Sequence, residues 1–278
     1  MSHYLVTGGT GFLGQELIRH IVKDNKVTVV ARNEGKLIEL KQKFPSIHIL
    51  AGDIANPFVA RQACFDVNGI FHLAGFKHVG MAEHQALECF LTNVTGTFNI
   101  LSAADREAVD FIVGTSTDKA CRVAGVYGAT KLLMEALFKQ FEAINPGTQY
   151  RIVRYGNVLY STGSVLCKWK EKILNNEEII VTDPNATRFY WTVQDAVRLL
   201  LEAVEKGKDS TPYVPKMKAL SVGLLLEAML KKYNPDHSAG FREIGLQPGE
   251  NMHEQIASWL PPSNVAEQFT VAEIMELI

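Results

Sequence analysis

The chain has 278 residues, 47% of them hydrophobic, and its 28 basic and 30 acidic side chains leave a formal net charge of -2. That length supports a large core, and the charge balance excludes a nucleic-acid-binding surface or a charged disordered tail. Cys64, Cys89, Cys121 and Cys167 form no CxxC pair, which excludes a disulfide framework and a cysteine zinc site and is expected of a reduced, cytoplasmic protein.

The first residues, "MSHYLVTGG", run straight into a strand and a glycine loop, and no later run is apolar enough to span a membrane, so neither export nor anchoring is expected. Short runs rich in Val and Ile follow at intervals: "HYLVT", "KVTVVA", "IHILAG", "GIFHLA", "DFIVGTS" and "YRIVRY". Helix-length segments separate them. That alternation predicts an α/β protein with a Rossmann-type, doubly wound parallel sheet. Residues 85–105 read as one long helix, and "GVYGATKLLMEALFKQFEAI" as another that "NPG" stops. Beyond residue 158 the pattern predicts a helix at 164–174, a strand in "EEIIV", and a helix in "TVQDAVRLLLEAVEKG". Thr192 and Asp195 would cap that last helix and Gly207 would end it. Residues 1–158, joined by 187–207, are therefore expected to form the nucleotide-binding domain. Residues 159–186 and 208–278 would form a small C-terminal substrate-binding lobe.

"VTGGTGFLG" sets Gly8, Gly11 and Gly14 between the first strand and the first helix, the context that a dinucleotide fingerprint needs. The helix N-terminus offers N–H donors to a pyrophosphate. Thr10, Phe12 and Leu13 complete the loop. An NAD-binding sheet usually ends its second strand in Asp or Glu. Here the strand ends in Arg32, followed by Asn33 and Lys36, positive charge that favours NADP. Asp53, with Ile54, could accept from an adenine amino group or cap a turn. Leu73, Ala74, Gly75 and Lys77 after the fourth strand, Asn93, and Tyr155, Asn157 and Val158 after the sixth complete the candidate cofactor contacts. His72, inside an apolar strand, reads as a core histidine. With His78 and His84 it makes no credible metal set, so no metal is expected.

Tyr127 and Lys131 stand four apart on one helix and so share a face. A lysine beside a phenol would lower its pKa from about 10, making Tyr127 a general base for a substrate hydroxyl.

The order "TGGTGFLG", "LAGFKHV", "ECFLTNVTGTFNIL", "STDKA", "VYGATK", "RYGNV", "TRFYWT", "VPK" and "PGENMHE" resembles the extended short-chain dehydrogenase/reductases. Within them it is most similar to the inverting UDP-N-acetylglucosamine 4,6-dehydratases. The resemblance implies NADP, a sugar-nucleotide substrate and a homo-oligomer. It implies catalytic roles for Thr117, Asp118, Lys119, Tyr127 and Lys131, with Thr117 and Tyr127 at the sugar C4 oxygen. A neutral Lys119 would take the C5 proton and a protonated Asp118 would donate to the departing C6 oxygen. Lys77, His78, Thr117, Asn157, Arg188 and Glu250 are the implied substrate contacts. The chain departs from the family pattern at Gln247, Tyr160 and Thr162, where two arginines and a glycine are common, and around Val123, where a proline is common. A 4-epimerase or 4-keto reductase on the same fold is the alternative, and a non-catalytic NADP-sensing protein a third.

Overall fold

The structure is a computed structural model that describes residues 1–278. Its first half runs β1 (His3–Thr7), α1 (Phe12–Ile21), β2 (Lys26–Ala31), α2 (Glu34–Lys43), β3 (His48–Ala51), α3 (Pro57–Cys64), β4 (Gly69–His72), α4 (Val79–His84), α5 (Ala86–Phe90), α6 (Gly96–Glu107), β5 (Phe111–Thr117) and α7 (Val126–Ile144). There follow β6 (Gln149–Tyr155), β7 (Asn157–Val158), α8 (Val165–Leu174), β8 (Ile179–Val181), β9 (Thr187–Trp191), α9 (Val193–Lys206), β10 (Ala219–Ser221), α10 (Val222–Tyr233), β11 (Phe241–Glu243) and α11 (Val271–Leu277).

Strands β1 to β6 form one parallel sheet in the order β3-β2-β1-β4-β5-β6, the Rossmann-type arrangement that the alternating pattern predicts. Both faces are covered, and neighbouring residues on a strand feed different cores. Val6, Phe71, Val113 and Val153 pack with Leu17 and Ile18 of α1 and Val197 and Leu200 of α9. One residue earlier on each strand, Leu5, Ile70, Ile112 and Ile152 pack with Ile100 and Leu101 of α6 and Phe138 of α7. Each such side chain contributes about 1.5–3 kcal/mol by burial. This explains why β5 is buried at all seven positions and reads as a continuous apolar run.

A third apolar cluster joins Leu159, Trp169, Ile179, Tyr190, Leu220, Leu225, Met229 and Ile274 of the later elements. There β10, β9 and β7 form a small mixed sheet and β11 pairs with β8. Helix α9 starts with Thr192 accepting from the Asp195 N–H at 3.1 Å and ends at Gly207.

The predicted long helix over 85–105 is instead three pieces. Between α5 and α6 the chain makes a π-helical turn at Leu91–Thr95. It turns Asn93 inward, where its amide accepts from the Phe76 N–H at 2.7 Å and donates to the Phe76 carbonyl and the Thr130 hydroxyl, both at 3.0 Å. Those long-range bonds offset the irregular backbone, a use of π turns that apolar periodicity does not register.

Strand order reverses between β1 and β4, so the connections leave in opposite directions and open a crevice at the carboxyl ends of the strands. Everything described next lies along that edge.

Candidate active site

Two adjoining cavities occupy the crevice. The larger, about 710 Å³, is lined by the glycine loop, the end of β2, the segment after β4, and the ends of β5 and β6. Every candidate cofactor residue except Asn93 lines it, as do Thr117 and Lys119. Asn93 instead braces the Phe76 backbone from behind, a structural role. The second cavity, about 540 Å³, is walled by α8, β8 and β9 and holds Arg188 and Glu250. Lys77, His78 and Asn157 line both. Lys77 reaches across the junction, its ammonium donating to the Thr162 carbonyl at 2.9 Å.

The loop after β1 lies against the segment after β4. A Cβ on Gly8, whose φ is +69°, would stand 2.8 Å from the Ala74 Cα, so only glycine lets the two strand ends meet. At the far end of this cavity Arg32 faces Asp53 at 3.8 Å, both well exposed. Asp53 uses its other oxygen to accept from the Ala55 N–H at 2.9 Å, so it does close a turn. Arg32 and Lys36 are thus cations on the cavity wall, a donor set that fits a phosphorylated ribose. The amide of Asn33 is occupied in capping α2, accepting from the Lys36 N–H.

Thr117 ends β5, and a 3-10 turn, Asp118–Ala120, follows. Helix α7 packs directly on that turn: a Cβ on Gly128 would stand 2.4 Å from the Lys119 carbonyl oxygen. That contact sets Tyr127 beside the acid–base pair. Asp118 is fully buried; its Oδ1 accepts from the Thr117 hydroxyl at 2.9 Å and from the Lys119 ammonium at 3.1 Å, and its Oδ2 has no partner. Of the pair, Lys119 alone faces the cavity; Asp118 lies behind it.

Three of the expected roles meet surroundings that differ from those expected. Lys119 is not neutral: burial pulls its pKa down, but Asp118 and Glu254 raise it by more, so it stands above the usual lysine value as an ammonium. Asp118 lines neither cavity and stands behind Lys119 and Thr117, which hold its Oδ1. The charge that draws the Tyr127 phenol down is Lys119 rather than the expected Lys131. Burial pushes the phenol up to about 12, against the pull of Lys119 and Thr117. Lys131 Nζ donates to the Thr115 carbonyl at 2.8 Å, and burial lowers its pKa to about 8. His72 meets its expectation as a core residue: it bridges the Thr7 and Thr97 hydroxyls, both at 2.9 Å, and burial lowers it to about 3.

Sequence reasoning missed two carboxylates. Glu83 of α4 accepts from the Val126 N–H at 2.7 Å, capping α7, whose own N-cap residue Gly125 has no side chain to do so. Glu254, fully buried, stands 3.4 Å from Lys119 Nζ. Capping by a residue 43 positions away has no local signature. Glu254 closes the "PGENMHE" stretch, in which Glu250 is the expected substrate contact. Glu250 accepts from the Gln247 N–H at 3.1 Å, and His253 bonds the Thr187 hydroxyl at 2.9 Å. Arg188, also buried, donates to the Thr187 and Met252 carbonyls.

Fold and strand-end geometry together define a short-chain dehydrogenase/reductase of the extended kind. The chain belongs to the polysaccharide biosynthesis protein family, whose profile matches residues 4–275. It is 33% identical to a UDP-N-acetylglucosamine 4,6-dehydratase (inverting) of Campylobacter jejuni over 92% of this chain and 78% of that protein. A UDP-glucose 4-epimerase of Rickettsia rickettsii is 32% identical over 91% and 77%. An uncharacterized membrane protein of Methanocaldococcus jannaschii is 35% identical over 91% and 79%; no helix of the present chain is long and apolar enough to cross a membrane. Among solved structures, Pen from Bacillus thuringiensis superposes with a TM-score of 0.95 at 30% identity, covering 100% of this chain and 97% of that one.

Proposed function

We propose that this protein is an NADP-dependent, C5-inverting sugar-nucleotide 4,6-dehydratase that converts UDP-N-acetylglucosamine or a related UDP-sugar to a 4-keto-6-deoxy sugar nucleotide. The observation that carries the reading is the buried Asp118–Lys119 pair at the carboxyl end of β5, with Lys119 facing the cavity that Tyr127 also lines. The relatives support it: the Campylobacter jejuni protein carries that activity in its name. Arg32 and Lys36 favour NADP over NAD by their charge. When bound, the nicotinamide supplies the acceptor for the C4 hydride and later returns it to C6.

The chain's residues then handle the protons. Tyr127, as the phenolate that the neighbouring Lys119 ammonium favours, accepts the C4 hydroxyl proton while Thr117 holds the oxygen, and the resulting ketone acidifies the C5 hydrogen. Lys119 passes its proton to Asp118 along the 3.1 Å bond and, as an amine, takes the C5 proton. The pair gives a proton back to the departing C6 hydroxide, which leaves as water, and a second proton returns to C5 from the opposite face. Two protons are taken, from the C4 hydroxyl and C5, and two are returned. Lys77, His78, Asn157, Arg188 and Glu250 line the space for the sugar nucleotide, the two cations by charge-assisted bonds to its diphosphate.

A 4-epimerase is the second reading, favoured by the ammonium state of Lys119, which suits a residue that only binds, and by the Rickettsia relative. Incubation with UDP-N-acetylglucosamine and NADP in deuterated water, followed by mass spectrometry and proton NMR, separates the two. Dehydration gives loss of one water with deuterium at C5; retention of the C6 oxygen overturns it. The same reading includes a cytoplasmic homo-oligomer. In support, all four cysteines are free, and α6 and α7 pack side by side with Phe98, Leu132 and Leu133 46–48% exposed. Light scattering in solution tests the assembly.

A further inference from the structure

Lys119 lies between two carboxylates, Asp118 Oδ1 at 3.1 Å and Glu254 Oε1 at 3.4 Å. The second comes from a segment 135 residues later in the chain, and that segment is held in place from three sides. The Glu254 N–H donates to the Ser263 hydroxyl at 2.8 Å, the Thr187 N–H donates to the Met252 carbonyl at 3.0 Å, and Arg154 donates to the Ile256 carbonyl at 2.9 Å. Glu254 Oε2 accepts from the Asn251 amide at 3.3 Å, while Oε1 accepts no hydrogen bond and points at the ammonium. A fully buried carboxylate with one oxygen bound to nothing but a neighbouring charge is costly unless that charge needs it.

We propose that Glu254 is a positioning residue that sets whether Lys119 stands as an ammonium or as an amine. With Glu254 ionised, Lys119 is held charged between two anions. With Glu254 protonated, Lys119 keeps only Asp118, and its proton can pass along the 3.1 Å bond to Oδ1. The result is a neutral amine on the cavity wall and a neutral acid behind it, the forms that the proposed chemistry needs. No atom is gained or lost beyond the single proton on Glu254.

The other groups facing this cluster are Asp118 on the turn after β5, Tyr127 on α7, and Arg188 and Tyr190 on β9. Behind them Glu135 and Arg154 pair with each other. Asp118, Glu254, Lys119 and Arg188 carry two charges of each sign, so one proton on Glu254 tips the balance towards discharging Lys119. Burial raises the Glu254 carboxyl above its usual range, with Lys119 and Arg188 opposing, so it can accept that proton.

The catalytic meaning of this inference rests on the dehydratase reading, but the control of Lys119 does not. The test uses the full chain with bound NADP and lysine labelled with carbon-13 and nitrogen-15, the Lys119 side-chain signal being assigned by its loss in K119M. In E254Q the Lys119 titration midpoint is expected to move to lower pH, to a proton concentration at least tenfold higher, and in E254D, which keeps the charge, by less. On UDP-N-acetylglucosamine the rising limb of the kcat profile should move to lower pH in E254Q, with KM within threefold of the wild type. If E254Q does not fold, as judged by circular dichroism and NADP binding, the midpoint in E254M, also without the charge, decides. An unchanged Lys119 midpoint in a folded variant that lacks the charge overturns the inference. A shifted midpoint in a protein that releases no water from any UDP-sugar upholds it and refutes the dehydratase reading instead.

Discussion

Removing Glu83 tests whether α7 depends on a cap borrowed from another helix. Its Oε1 accepts from the Val126 N–H at 2.7 Å, and Gly125 supplies no side chain of its own. Losing a cap costs about 1 kcal/mol, and losing a negative charge at a helix N-terminus about 0.3–1 kcal/mol more. E83A should therefore lose about 1–2 kcal/mol, a fall in Tm of about 3–6 °C for a chain of this size. E83Q, which keeps an oxygen acceptor, should lose about half as much. The readouts are thermal unfolding by circular dichroism and hydrogen exchange of the first turn of α7, where E83A should lose protection. Tyr127 is the next residue, so kcat should fall by about tenfold or more through misplacement while NADP still binds. Were E83A to melt with the wild type and keep slow exchange at Val126, the capping argument would be wrong.

Other consequences are simpler to measure. Burial lowers Lys131 to about 8 from its ordinary 10.5. The unfolded chain thus binds more protons between those values, and stability rises with pH across that window. Below pH 8 the buried ammonium costs on the order of 3 kcal/mol. K131M should therefore melt above the wild type at pH 7, with the gap closing by pH 10 in a thermal scan. His72, held near 3 against 6.5 unfolded, costs stability as pH falls from 6.5 towards 3. H72Q should show a shallower loss of stability over that range in urea titrations, a steeper loss counting against it. R32A should weaken NADP binding about tenfold and leave NAD nearly unchanged when both are titrated by fluorescence; equal losses would refute the 2′-phosphate assignment.

What could be read from the sequence follows the range of the interactions. The parallel sheet was legible because Leu5 and Val6, and their counterparts on β4, β5 and β6, bury both faces and leave continuous apolar runs. The glycine loop and the Tyr127–Lys131 spacing are equally local. The charge of Lys119 was not legible, because Glu254 decides it together with Asp118 and lies on a segment that only the fold brings back. Burial and the nearby cation Arg188 do favour a neutral Lys119, but Asp118 and the distant Glu254 oppose them. The π turn at 91–95 failed to register for a related reason, since Asn93 is turned by partners at residues 76 and 130.

Arg154 ties β6 to the late loop through the Ile256 carbonyl, and Glu254 sits two residues earlier. One late stretch of chain is therefore fastened to the sheet and also reaches the Lys119 ammonium. A chimera that exchanged residues 208–278 for those of a relative would exchange residue 254 as well, and with it the contact at 3.4 Å to Lys119. A clean exchange has to leave residues 251–256 with the parent sheet, because their partners Lys119 and Arg154 stay behind.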